Sequence, residues 1–285
     1  MRVFVYSDLH INFDTGYQDL VLPGGDVLLL CGDVMEAGHI RRAVNAGMGV
    51  GTLDTYKRFC DTELPKYEQV YYVFGNHEYY GHDFNTARAR IEPLLPPNVT
   101  ILQNNYVKVE NYLIWGATMW TDNNRGNPIA RQTISNSMSD YRVIKHEPGR
   151  FVEGAGGGYW TNRFSVWDSE QEHHASRARL EEFLLAYPSH KTIVMTHHAP
   201  SYESIAAEYR NHVDGWVNYA YYSDLTNLIL DNPQIKLWAH GHVHCMNDYM
   251  MGNCRVVSNP RGYCGYERQA ERFDKASKFV TIELE

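Results

Sequence analysis

Eight short apolar runs punctuate the chain, and several lack the alternation expected of a strand with one wet face. They are Val3–Tyr6 (VFVY), Asp26–Cys31 (DVLLLC), Gln69–Phe74 (QVYYVF), Tyr112–Trp115 (YLIW), Lys191–Met195 (KTIVM), Ile235–Ala239 (IKLWA), Arg255–Val257 (RVV) and Lys278–Ile282 (KFVTI). Rich in β-branched and aromatic residues, they predict strands buried on both faces. Helical spacing appears between some of them. Over residues 170–187, Leu180, Phe183, Leu184 and Tyr187 make one apolar stripe, Ser169 and Glu172 have capping-box spacing, and Pro188 ends the pattern. Shorter helices are predicted over 54–64 and 224–230, the second stopped by Pro233. Strands alternating with helices give an α/β class.

Residues 121–168 break this rhythm. The stretch is polar, contains NNRGNP and EGAGGGY, and predicts no strand. It reads as an insertion or cap on a single domain spanning 1–285. The cluster Gly154, Gly156, Gly157 and Gly158 follows no strand and opens no helix, so it reads as a flexible loop rather than a phosphate cradle.

The polar residues that end the apolar runs carry the chemistry. VFVY leads into Asp8 and His10, VLLLC into Gly32 and Asp33, and YYVF into Gly75, Asn76, His77 and Glu78. TIVM leads into His197 and His198, and KLWA into His240, His242 and His244. Ligands of open α/β sheets bind at the carboxyl ends of strands, so five distant segments are expected to converge. On extended chain, His242 and His244 would point to one side together. Singly, each fragment has a bland reading as a strand-end turn or surface histidine. Their order and placement together predict a metal site.

Composition adds limits. With 285 residues, 44% of them hydrophobic, the chain can bury a sizeable core. The net charge of −8 argues against general attraction to nucleic acid or anionic lipid. Five cysteines without a CxxC make a disulfide scaffold improbable and fit a reducing compartment. No run is long enough to span a membrane and the first residues lack signal-peptide character, so a cytoplasmic location is expected.

The ordered set D-x-H, G-D, G-N-H-E, H-H-A-P and G-H-x-H, running from residue 8 to residue 244, resembles the calcineurin-like metallophosphoesterases. The resemblance implies a four-layer αββα sandwich of two mixed sheets flanked by helices. Asp33 is followed by VMEAG rather than the xxDRG of the protein-phosphatase branch, while 115–142 and SNPRGY at 258–263 look like a bacterial and phage branch of unassigned substrate.

By that resemblance Asp8, His10, Asp33 and His244 would hold one ion, and Asp33, Asn76, His197 and His242 a second, with Asp33 bridging. The mixed nitrogen and oxygen set suits two divalent or trivalent ions such as Mn, Fe or Zn. Such a pair would clamp a phosphoryl group and turn a bridging water into a hydroxide nucleophile. His77 would assist the leaving oxygen, with Asp8 orienting it beside its metal duty. Arg142, Arg261 and His198 are further candidates for substrate contact.

The expected function is hydrolysis of a phosphodiester or small phosphomonoester, with no nucleic-acid partner and no membrane. Oligomeric state is unreadable. Two alternatives share the fold. A non-catalytic scaffold tends to lose ligands or the leaving-group histidine, and both are present here. A nuclease would engage a long polyanion, which the charge of −8 and the lack of a lysine-rich tract disfavour.

Overall fold

The computed structural model describes residues 2–13, 20–46, 51–152, 158–210, 215–273 and 282–283. Thirteen strands occur among them: β1 Arg2–Tyr6, β2 Gly25–Cys31, β3 Tyr67–Val73, β4 Val99–Ile101, β5 Asn105–Val109, β6 Tyr112–Ala117, β7 Lys145–Val152, β8 Tyr159–Arg163, β9 Lys191–Thr196, β10 Ile235–His240, β11 Asn247–Met251, β12 Cys254–Ser258 and β13 Ile282–Glu283. One sheet has the order β13-β1-β2-β3-β4, and a second the order β11-β12-β10-β9-β6-β5. The strands β1 to β4 pair in parallel, as do β6, β9, β10 and β12; β5, β11 and β13 join the edges antiparallel.

Alternation along the strands explains why the apolar runs are continuous. Val3, Val5, Val27 and Leu29 of the first sheet share a buried cluster with Ile114, Ile193, Met195, Leu237 and Ala239 of the second. Their neighbours Phe4, Tyr6, Leu28 and Leu30 face the other way, onto Ile40, Tyr56, Phe59 and Ile91 of helical segments. On the second sheet Trp115, Val194, Trp238 and Val256 pack beneath Leu180, Phe183, Leu228 and Ile229. A strand covered on both sides needs apolar residues at every position. The outcome is a mixed α/β protein with sheets flanked by helices, as the sequence predicts.

Several expectations change. The helix predicted over 170–187 runs Val166–Ala186, and its capping box is Ser165 with Asp168, not Ser169 with Glu172. Ser169 lies inside the first turn, where its hydroxyl donates to the Val166 carbonyl. An S-x-x-E match recurs by chance within a helix, so only the pair whose backbone is extended can cap. His173, on this helix, is fully buried, with Nδ1 2.6 Å from the Trp120 carbonyl oxygen. Residues 121–168 do contain strands: β7 and β8 form a two-stranded ribbon. Its mixed exposure, including Phe151 and Trp160 on the outside, hides the period-2 signal. The same segment holds one left-handed turn, Asn123 to Gly126, with φ of 48°, 56°, 56° and 71°; asparagine and glycine tolerate that region best. The strands β4, β5 and β11 went unpredicted, being short or polar. Gly154, Gly156 and Gly157 lie outside the described residues, as does Lys278–Ile282 apart from Ile282.

Candidate active site

Six parallel or edge-bridged chain segments stop at one end of the two sheets, and hydrogen bonds stitch those ends together. The Ser7 N–H donates to the Asn259 carbonyl, Asp8 N–H to Gly32, and Gly241 N–H to His197. The first and second sheets thus share an edge where the polar residues emerge. Gly75 is required there. A Cβ at this position would lie 2.1 Å from Asp33 Oδ1 and 2.6 Å from His197 Cε1, so only glycine lets the segments close up.

All seven expected metal ligands meet in this place. His10 Nε2 is 3.1 Å from His244 Nε2 and 3.6 Å from Asp33 Oδ2. His244 Nε2 is 3.4 Å from Asp8 Oδ1. His197 Nε2 is 3.0 Å from Asn76 Oδ1, 3.2 Å from His242 Nδ1 and 3.4 Å from Asp33 Oδ1. Three trios of potential ligand atoms result, each within 4.8 Å: Asp8, His10 and His244; His10, Asp33 and His77; Asp33, His197 and His242. Asp33 reaches both histidine pairs, one through each carboxylate oxygen.

These separations fit a cation. Metal–nitrogen and metal–oxygen bonds of about 2.1 Å give ligand–ligand edges of about 3.0 Å in an octahedron and about 3.4 Å in a tetrahedron. Two imidazole nitrogens aimed at each other share at most one proton, whereas a cation satisfies both lone pairs. Backbone strain points the same way. Asp8, His10, Asp33, His242 and His244 have φ of 51°, 42°, 57°, 70° and 43°. Left-handed backbone costs a non-glycine residue about 1–2 kcal/mol, and such outliers gather at functional sites. His242 and His244 therefore do not reach inward by strand alternation. The strand β10 ends at His240, and the strained loop beyond it sends His242 to His197 and His244 to His10.

Glu78, quoted in the G-N-H-E motif but given no role from sequence, anchors this arrangement. Its buried carboxylate accepts from the N–H groups of Asp33, Val34 and Gly75 at 2.9, 2.6 and 2.6 Å, from Met35 at 3.3 Å, and from the Tyr72 hydroxyl. Each donor left unpaired by truncation costs about 1–3 kcal/mol. We predict that Glu78→Ala lowers unfolding free energy by several kcal/mol, read from urea titration; an unchanged midpoint would show that the carboxylate does not hold the Asp33 loop.

His77 sits beside the ligands, stacked on Tyr80 with centroids 4.0 Å apart. Its Nε2 is 3.1 Å from the Tyr263 hydroxyl, and its Nδ1 is 3.4 Å from Glu36 Oε1. The carboxylate at His77 Nδ1 is Glu36, while Asp8, expected to orient this ring, is engaged by the His242 N–H and by His244. Glu36 was hidden inside VMEAG, which was read only as a departure from a motif. Its position three residues after Asp33 was the available signal. Tyr263 and Glu267 were also missed. Glu267 Oε2 lies 2.7 Å from His244 Nδ1 and fixes that ring from behind.

The local charges oppose and correct one another. Burial pushes the Asp33 carboxyl up, but His197 and His77 hold it well below the usual carboxylate range. Burial would depress His77, yet Asp33 and then Glu36 raise it above the ordinary value. Burial likewise acts against His197 and His244, which their carboxylates raise to about 9 and about 10. A metal accepts only neutral imidazole. Loading metal near neutral pH should therefore expel about two protons, one from each ring, and affinity should climb as pH rises toward 9. Titration calorimetry in buffers of different ionisation heat reads this directly; buffer-independent heats would contradict it.

None of the three substrate-contact candidates is among the residues that line the cavity in front of the site. Arg142 is exposed and donates to the carbonyls of Asn136 and Ser137 at 2.9 and 3.5 Å. Arg261 is buried, its Nη1 3.4 Å from the Leu9 carbonyl oxygen. His198 is packed behind His242, with centroids 4.4 Å apart, and burial holds its pKa down to about 3. The cavity in front of the site, about 1370 Å³, is lined instead by Asp33, Asn76, His77, His242, His244 and Tyr263 at its base, with walls that include Asn136, Met138, Ile205, Val217 and Tyr221.

Known proteins share this framework. An uncharacterized protein of Acanthamoeba polyphaga mimivirus is 24% identical over 219 residues, spanning 73% of this chain and 72% of its own length. The solved structure of a phosphopantetheinyl hydrolase from Mycobacterium tuberculosis superposes with a TM-score of 0.64 at 16% identity, covering 98% of this chain and 95% of that one, a likeness of fold. The family model described as calcineurin-like phosphoesterase matches residues 1–246. Together with the clustered histidines and aspartates, that match establishes that the chain belongs to the calcineurin-like phosphoesterase family and is a metal-dependent phosphoric ester hydrolase.

Proposed function

We propose that this protein hydrolyses a phosphodiester or small phosphomonoester at a two-metal centre. Asp8, His10, Asp33 and His244 would hold one ion, and Asp33, Asn76, His197 and His242 the other, with Mn, Fe or Zn suited to the donor set. The observation that carries the reading is the pair of ligand groups joined through the two oxygens of Asp33. When bound, the cations supply Lewis acidity that neutralises phosphoryl charge and acidifies water.

The chain's own groups do the rest. His77 projects into the cavity base and donates a proton to the departing oxygen. Glu36 at Nδ1 fixes the ring's tautomer and plane, so Nε2 is the atom that faces the cavity. Tyr263 holds that nitrogen until an ester oxygen takes its place. The positive centre lies at the bottom of a cleft in an acidic protein, which favours a pocket-sized anion over a polymer.

We read 1–285 as one domain in which the 121–168 segment contributes a cavity wall through Thr133, Asn136, Ser137, Met138 and Ser139. Five free cysteines support a reducing, cytoplasmic setting, and no helix among the described residues is long and apolar enough to cross a membrane. The test is turnover of bis-p-nitrophenyl and p-nitrophenyl phosphate by protein loaded with Mn2+. Activity well above that of an Asp33→Asn control is expected; no difference on either ester would defeat the reading.

A further inference from the structure

The cavity above the centre is far larger than a phosphoryl group, and its walls have a definite character. Its volume of about 1370 Å³ exceeds the ~300–1,000 Å³ of common small-molecule sites. Away from the base, most of the lining is uncharged. Met138, Ile205, Val217 and Val243 supply aliphatic surface, and Asn136 and Asn218 supply amides. The Tyr221 ring stacks on His242 with centroids 4.8 Å apart at 29°, continuing the apolar wall down to the base.

The charged wall residues set a second constraint. Glu267, ion-paired with His244, and Glu208 both line the cavity, against one arginine, Arg268, among the described lining residues. A second phosphate carried on the substrate would meet those carboxylates rather than a basic cluster. Like charges in a cleft with low-dielectric walls repel strongly. A sugar phosphate, conversely, would leave most of the cavity unfilled.

We infer that the substrate is an ester of a single phosphoryl group with a long, neutral alcohol whose chain mixes apolar and hydrogen-bonding groups. This rests on the phosphoesterase reading above. The phosphoryl group sits at the base, and the arm lies between Met138 and Asn136 on one side and Val217 and Asn218 on the other. In the reaction, the oxygen of water bonds to phosphorus and the bond from phosphorus to one ester oxygen breaks. The departing alcohol gains a proton, so no further reactant is needed.

Four p-nitrophenyl diesters that share a leaving group test the arm alone. Their second alcohols are methanol, a ten-atom alkyl amide alcohol, thymidine linked at its 5′ oxygen, and the same thymidine carrying a 3′-phosphate. With enzyme loaded with Mn2+, the amide ester should show a KM at least tenfold below the methyl ester. The 3′-phosphate should raise KM at least tenfold over plain thymidine. Val217→Glu should reduce the ratio of kcat/KM between the amide and methyl esters at least fivefold. Hydrolysis of all four esters with equal KM, or best binding of the doubly phosphorylated one, overturns the inference while leaving the phosphoesterase reading intact. Failure to hydrolyse any of the four esters overturns the inference, and failure on p-nitrophenyl phosphate as well overturns both.

Discussion

Exchanging Asp33 for asparagine should abolish hydrolysis and reduce the metal content of the protein from two ions to one or none. Asp33 is the residue whose two oxygens face different histidine groups, with Oδ2 toward His10 and Oδ1 toward His197. An amide offers one neutral oxygen and a nitrogen donor, so it serves one side poorly and the other not at all. Metal ions contribute several kcal/mol to phosphoryl-transfer transition states, and each 1.36 kcal/mol is a factor of ten. The expected fall in kcat/KM is therefore at least about a thousandfold. The side chains are close in size and the Asp33 N–H stays bonded to Glu78, so folding should survive. Elemental analysis beside the kinetic assay separates lost metal from lost fold. Full activity with two ions bound would show that Asp33 does not bridge.

Replacing His77 with alanine should discriminate between leaving groups. General acid catalysis is worth about 10²–10⁴-fold where the leaving oxygen needs a proton. Nitrophenolate leaves readily without one, while an alkyl alcohol does not. The loss should therefore approach the upper end for an alkyl ester and be much smaller for a nitrophenyl ester, with metal content unchanged. Glu36→Gln should follow the same pattern more weakly, since Glu36 touches the Nδ1 side of the same ring. Tyr263→Phe removes the hydroxyl 3.1 Å from Nε2 and belongs to the same series. Equal losses on both esters would point to a structural role for His77 instead.

The clustering of these aspartates, histidines and Asn76 was legible because most of them fall directly after buried strands. Strand ends are readable from apolar runs, and parallel sheets gather their ends. Asp8, Asp33, Asn76 and His197 needed no other information to be brought together. What the sequence concealed is contact made by segments without such punctuation. Glu36 lies in a loop and reaches His77 across 41 positions. Tyr263 and Glu267 come from beyond β12, where nothing in the local pattern says that the chain folds back over the site. The arginines are a different case. Arg142 and Arg261 have the right chemistry for phosphate, yet neither lines the cavity; Arg142 donates to the Asn136 carbonyl and Arg261 to that of Leu9. Residue type alone does not report direction. The 121–168 segment stayed opaque because a half-exposed ribbon and a left-handed turn carry neither a helical nor an alternating period.

Crystals grown with Mn2+ and measured at its absorption edge test the shared centre most directly. Two anomalous peaks are expected, one enclosed by Asp8, His10, Asp33 and His244, the other by Asp33, Asn76, His197 and His242. A single peak remote from Asp33, or none among these side chains, would contradict the account.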